Sequence, residues 1–211
     1  NGQGEPCPFM TADAALEDLA RRLAGRADRG RAVMLAPVTR GAGASAISAR
    51  LAEVSARLSG RPSWLFDLDF AANPQSAKAR LNGQAFAGEL SGLRFWRAEP
   101  DGAGRLALRK LDHGPVYVSR FERDPGAVRR LTFHPCAEYW GQVRRACGLA
   151  LVDAPYGSAA MTALAADLDG VILVADAARS RRADADAIAD RIEEAGGHVM
   201  GVVVNRSGRG R

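Results

Sequence analysis

Val33-Met34-Leu35-Ala36-Pro37-Val38-Thr39-Arg40-Gly41-Ala42-Gly43-Ala44-Ser45-Ala46-Ile47-Ser48-Ala49-Arg50-Leu51-Ala52 is the stretch on which the fold turns. A short apolar run meets a turn punctuated by Gly41 and Gly43, and the turn opens into an alanine-rich pattern of helical period. Strand, glycine loop and helix in that order make a phosphate-binding P-loop. Glycines in such a loop let successive backbone N–H groups converge on an anion, and the helix N-terminus adds a partial positive charge. The full pattern also needs a lysine for the β and γ phosphates and a hydroxyl for magnesium. Ser45 supplies the hydroxyl, but Ala44 stands at the lysine's place and Val38 at that of the first glycine. The loop keeps its shape and lacks its charge.

Upstream of this unit, Leu16, Leu19, Ala20 and Leu23 form one stripe of a helix that Thr11 or Asp13 caps. Residues 1–10, with Gly2, Gly4, Pro6 and Pro8, read as a loose arm. Downstream, the turn Ser59-Gly60-Arg61-Pro62 leads to a strand, Trp64-Leu65-Phe66-Asp67-Leu68-Asp69-Phe70. Carboxylates at a strand's carboxyl end lie where open α/β sheets build their sites. The plainer reading is that one of Asp67 and Asp69 caps a turn and the other is solvated.

Residues 75–115 are broken up by Gly83, Gly88, Gly92, Gly102, Gly104 and Gly114. Within them Leu93–Ala98 and Arg105–Leu111 read as short strands of a hairpin. Val116–Phe121 alternates as a core strand does, and Pro125–Leu131 and Ala137–Cys147 read as helices. His134 and Cys136 lack neighbouring ligands in sequence, which argues against a metal or catalytic pair. Leu149-Ala150-Leu151-Val152-Asp153 is an apolar strand ending in the carboxylate that, in P-loop enzymes, serves magnesium. Met161–Asp167 reads as a short helix, Val171–Ala175 as a strand and Arg182–Ala195 as a helix. Val199–Val204, closed by Asn205, is the last strand, and its continuous apolar run predicts burial on both faces.

The 211 residues fit one α/β domain, and 47% of them are hydrophobic. We therefore expect a mostly parallel central sheet with helices on both faces over residues 31–206. An arm and helix over 1–30 precede it, and a disordered tail over 207–211 follows. The net charge is +5, and only Lys78 and Lys110 are lysines. Charges of both signs are dispersed along the chain, as on a solvated surface, and nucleic acid is not the expected partner. Cys7, Cys136 and Cys147 have no zinc-ligand spacing, and an odd count argues against a disulfide framework. A reducing compartment is the expectation. No apolar run reaches the length of a membrane-spanning helix.

Taken in order, the deviant P-loop, Leu-Phe-Asp-Leu-Asp, Leu-Val-Asp-Ala-Pro, Asp-Gly-Val-Ile-Leu-Val and Gly-Val-Val-Val-Asn-Arg resemble one family branch. They are similar to the MinD/ParA-type P-loop ATPases, and within them to the cytoplasmic domain of bacterial tyrosine kinases of exopolysaccharide and capsule synthesis. The resemblance implies that Gly41, Ala42, Gly43, Ala44, Ser45 and Ala46 wrap phosphate. It implies that Ser45, Asp67 and Asp153 hold magnesium, that Asp67 and Asp69 are catalytic, and that Asn205 contacts an adenine ring. ATP or ADP with magnesium is then the cofactor, or none if the site is retired.

The departures matter equally. Ala44 and Ala46 replace a lysine and a second hydroxyl, Thr39 stands at the signature lysine, and Ala71 or Ala72 stands at an arginine. The tail 207–211 contains no tyrosine, and Arg21 and Arg22 are out of register with the family's association motif. The resemblance thus implies a degenerate pseudo-kinase, weak or inactive, in the cytoplasm at the inner face of the membrane. A membrane co-polymerase or export component would be its partner, with pairing into homo-oligomers. Two alternatives stand beside it. One is an active MinD/ParA-type ATPase using Arg40 or Arg50 at the phosphates, with a membrane or DNA partner. The other is a structural domain that pairs with itself.

Overall fold

The computed structural model describes residues 12–26, 28–124 and 126–205. The expected loose arm at 1–10, the Thr11 cap and the tail 207–211 lie outside the described residues. Helix α1 (Ala12–Leu23) leads to β1 (Arg31–Pro37), the phosphate loop and α2 (Ala44–Ser59). Gly60 ends α2 in the left-handed region at φ 65°, its N–H donating to Ala56 O, and releases the chain into β2 (Ser63–Asp67). A short α3 (Pro74–Lys78) precedes β3 (Leu81–Ala87), β4 (Trp96–Glu99), β5 (Gly104–Leu111), β6 (Val116–Arg123) and β7 (Arg130–Phe133). The remainder alternates: α4 (Ala137–Ala146), β8 (Leu149–Asp153), α5 (Ala160–Ala163), β9 (Gly170–Asp176), α6 (Arg182–Glu194) and β10 (Val199–Asn205).

Among the described residues, eight strands form one sheet in the order β10-β9-β1-β8-β2-β6-β5-β3. From β10 to β6 every neighbouring pair is parallel. Strand β5 then runs antiparallel to both β6 and β3. The expected α/β sheet with helices on both faces is what forms. Along β1 the side chains alternate between two cores. Ala32, Met34 and Ala36 join the layer that holds Trp140 of α4 and Ile192 of α6. Val33 and Leu35 join the layer of Leu23 of α1 and Leu51 of α2. Burial on both faces explains why β1, β8 and β9 are apolar without interruption.

Four expectations need correction. The stretch read as a Leu93–Ala98 and Arg105–Leu111 hairpin is not one: β4 pairs with the distant β7, and β5 pairs with β3 and β6. The helix expected over 125–131 is a turn at 126–127 running into β7. The reason is tertiary: Trp96 and Phe133 become register partners, and β4 gains an antiparallel neighbour that local pattern cannot reveal. The expected Met161–Asp167 helix is one turn of α5 followed by a 3-10 turn at Ala165–Asp167. Finally, β10 is at the edge of the sheet, and Val202 and Val204 are 50% and 56% exposed, not buried on both faces.

The β4–β7 ribbon has one consequence for the site. Its Trp96 and Phe133 pack with Phe70, which also stacks on Phe121 at 4.6 Å between ring centroids. Phe66 meets Phe95, Tyr139 and Trp140 edge-on. Phe66 and Phe70, both buried, therefore clamp the chain on either side of Asp67 and Asp69.

Candidate functional site

The carboxyl ends of β1, β2, β8, β9 and β10 converge on one edge of the sheet, where the phosphate loop leaves β1. The loop is a built turn. Gly41 and Gly43 have φ 73° and 92°, a region that side chains with a Cβ enter only under strain. The N–H of Ala42 donates to Thr39 O at 3.1 Å, and that of Val38 to Val174 O of β9 at 2.8 Å. No side chain caps α2. The first-turn amides of α2 face outward as in any helix start, so the loop and helix present an anion-binding N-terminus. Ala44, at the missing lysine, is buried at 4% exposure.

The acidic groups are placed by register. Asp67 and Asp153 are Cα partners across β2 and β8. Asp67 is buried, and its Oδ1 and Oδ2 accept the N–H groups of Asp69 at 3.0 Å and Gln75 at 2.8 Å. Burial pushes its carboxyl up to about 7 from 3.8, aided by the charges of Asp153 and Asp69, while the two N–H groups pull the other way. Burial also raises Asp153, against hydrogen bonds from Gln75 and Ser45. Asp69 serves the turn after β2: its Oδ1 accepts Ala72 N–H at 3.1 Å. The turn-capping alternative holds for this residue.

Gln75 was not singled out from sequence. Its Nε2 donates to Asp153 Oδ2 at 2.6 Å and to the Ser45 carbonyl at 2.9 Å. The structure thus brings Ser45, Asp67 and Asp153 together and sets a neutral amide among them. A magnesium ion needs oxygens at about 2.1 Å. Each Asp67 oxygen accepts one backbone N–H and keeps a lone pair, but the Gln75 amide nitrogen stands 2.6 Å from Asp153 Oδ2, in the space an ion on that oxygen would take. As arranged, these residues do not fit the ion.

Arg179 was also missed. Its Nη2 donates to Gly41 O at 2.8 Å, and its Nε and Nη2 hold Asp176 Oδ2 at 3.1 and 2.7 Å. The adjacent Ser180 shares a 3.0 Å hydrogen bond with Thr39, where the resemblance placed a lysine. The expected stand-ins lie elsewhere. Arg50 pairs with Asp13 of α1 and Glu53, and Arg40 is exposed in the loop. Asn205 donates Nδ2 to Ala42 O at 3.0 Å, so its amide braces the loop. His134 is hydrogen-bonded to Pro135 O, and Cys136 N–H donates to Asp167 Oδ2. Among the described residues, no three His, Cys, Asp or Glu side chains converge as a metal site, and no helix is long and apolar enough to cross a membrane.

No protein-family model and no curated protein matches the chain. Solved structures do. The kinase domain of the Escherichia coli tyrosine kinase ETK is 15% identical, with a TM-score of 0.62 over 97% of this chain and 80% of its own. The kinase domain of VpsO is 16% identical, with a TM-score of 0.55 over 85% of this chain and 86% of its own. A nucleotide-binding protein from Archaeoglobus fulgidus in complex with ADP is 14% identical, with a TM-score of 0.50 over 93% of this chain and 72% of its own. The fold is that of P-loop proteins, close to bacterial tyrosine kinase domains.

Proposed function

We propose that this domain is a degenerate, kinase-like P-loop protein. It binds nucleotide through its loop backbone, transfers phosphate weakly or not at all, and supports exopolysaccharide or capsule synthesis or export through a membrane partner. One observation carries the catalytic half: Ala44 is buried where the lysine belongs, while the glycine loop, Ser45 and the Asp67–Asp153 pair remain in place. Phosphoryl transfer depends on positioned charge, so losing the lysine removes chemistry before it removes binding. The polysaccharide half rests on the motif order of the sequence, together with the kinase-domain fold.

Calorimetric titration of ATP and ADP tests the first half, on the protein, on Asp153→Ala and on Ala44→Lys. We expect weak binding without turnover, and about 10–100-fold tighter binding by Ala44→Lys, because a charged hydrogen bond contributes about 1.5–3 kcal/mol. Turnover at the rate of an ordinary P-loop ATPase, abolished in Asp153→Ala, would overturn the reading. Glycosyltransferase and export genes beside its own would support the second half. A cell-division or partition locus would instead favour the active MinD/ParA-type ATPase, for which Arg179 at Gly41 is the supporting observation.

A further inference from the structure

Gln75 is hydrogen-bonded to all three residues that the resemblance assigns to magnesium, at both carboxylates and, for Ser45, at the backbone carbonyl. It sits in the first turn of α3, whose Pro74 is pre-set for a helix start. Just before it, Asn73 is held in the left-handed region at φ 47° by a reciprocal pair of bonds with one residue of β6. Its Nδ2 donates to Phe121 O at 3.1 Å, and Phe121 N–H donates to its Oδ1 at 2.7 Å. This anchor fixes where α3 begins. From there the Gln75 backbone N–H reaches Asp67 Oδ2, and its side-chain amide reaches Asp153 Oδ2 and the Ser45 carbonyl. An amide nitrogen carries two hydrogens, and both are committed.

The geometry points to Gln75 as a neutral surrogate for the divalent cation: it keeps the ion out, and the phosphate this loop takes is bound without metal. The inference rests on the nucleotide reading above. Two physical facts support exclusivity. A cation on Asp153 Oδ2 would lie about 2.1 Å from that oxygen, in space shared with a nitrogen 2.6 Å from it. The amide also presents its hydrogens, the positive end of its dipole, so it is repelled by the ion it would meet. In electrostatic terms the amide satisfies the carboxylate as a donor and brings no net charge.

The substitution Gln75→Glu nearly preserves the shape and turns the donor into a third carboxylate beside Asp67 and Asp153. Titration of Mn2+ followed by electron paramagnetic resonance reads metal uptake by the protein alone. We expect Gln75→Glu to take up Mn2+ about 10-fold or more tightly than the parent chain, and Asp153→Asn on that background to reverse the gain. Gln75→Ala, which only removes the amide, should gain less. Parent protein that takes up Mn2+ as tightly as Gln75→Glu overturns the exclusion. Calorimetry then reads the phosphate: ADP should bind the parent protein equally with magnesium and with EDTA, and binding that requires magnesium also overturns the inference. Absence of ADP binding in every variant and buffer would instead sink the nucleotide reading, and the Mn2+ titration would still decide what Gln75 does.

Discussion

Arg179 lays its guanidinium across the phosphate loop, with Nη2 2.8 Å from the carbonyl oxygen of Gly41. Asp176, at the end of β9, holds the same group in a fork and is itself kept below the usual carboxylate range by it. The arginine side chain is 55% exposed, so this is a charge displayed at the loop and not one sealed in the core. Arg179→Ala should weaken ATP and ADP binding about 10–100-fold, the worth of one charged phosphate contact. Thermal stability should fall, by less than for a pair buried on both sides: the arginine is half exposed, but Asp176 is 8% exposed and would keep only the Ala178 and Arg179 N–H groups. Arg179→Lys should recover part of the affinity. An unchanged dissociation constant in Arg179→Ala would mean that the arginine only pins the loop.

The brace of Asn205 on the Ala42 carbonyl, laid close over Gly43, gives a second test. A Cβ on Gly43 would lie 2.2 Å from Asn205 Nδ2, and Gly43 has φ 92°. Gly43→Ala therefore forces the Asn205 amide to turn away from Ala42 O and adds about 1–2 kcal/mol of left-handed backbone strain. Both single variants, Gly43→Ala and Asn205→Ala, should lower nucleotide affinity. The double variant should bind no worse than Gly43→Ala, because the brace is already broken. Additive losses measured by calorimetry would show that the two act separately.

What was legible in the sequence follows from what each element meets. Strands β1, β8 and β9 are covered on both faces, so their unbroken apolar runs announced themselves. The run at β10 looks the same, yet it lies at the edge of the sheet with Val202 and Val204 half exposed. An apolar run does not tell an edge from a centre. The strand read at 116–121 forms as β6, but residues 75–111 and 125–131 misled, because β4 finds its partner β7 far along the chain and β3 contains Gly83 at φ 85°, which breaks any strand pattern. At the site, the motif residues Ser45, Asp67 and Asp153 lie together. Gln75 and Arg179 were not legible, since an amide after a proline and an arginine before a helix look like ordinary solvated residues. Only the sheet order carries Arg179, from the end of β9, to Gly41, from the end of β1.

Asp67 makes stability depend on pH near neutrality. Its folded value is raised from 3.8 to about 7, chiefly by burial, so the folded protein binds a proton that the unfolded chain has released. The contribution is full below the unfolded value and is lost as pH rises through the folded one. The carboxylates held low by arginines, Glu17, Glu122, Asp176 and Asp184, act with the opposite sign, but at more acid pH. Asp153 and His113 are raised and share the sign of Asp67. Urea midpoints measured in EDTA should therefore fall between about pH 5 and about pH 8. Asp67→Asn, which cannot titrate, should flatten most of that slope. A slope unaltered by the substitution would place its origin elsewhere.

Arg144 of α4 ties the starts of β1 and β9 to its helix. Its side chain is 8% exposed, and its Nε donates to Asp169 Oδ2 at 2.7 Å, while Nη2 donates to Asp167 O at 2.6 Å. The same Asp169 oxygen accepts Ala32 N–H of β1 at 2.7 Å, just before the chain enters β9. Gly30 N–H in turn donates to Arg144 O at 2.8 Å. Removing the arginine leaves a partly buried carboxylate with one backbone donor. Breaking a buried pair from one side costs about 3–5 kcal/mol. Asp169 is 30% exposed and keeps some water. Arg144→Leu should therefore lose about 3 kcal/mol, the low end of that range. Asp169→Asn should cost less, because its amide oxygen still accepts from Ala32 and from Arg144. Chemical denaturation of both variants decides the matter. If Arg144→Leu loses under about 1 kcal/mol, the pair is dispensable and the β1–β9 junction is held by packing alone.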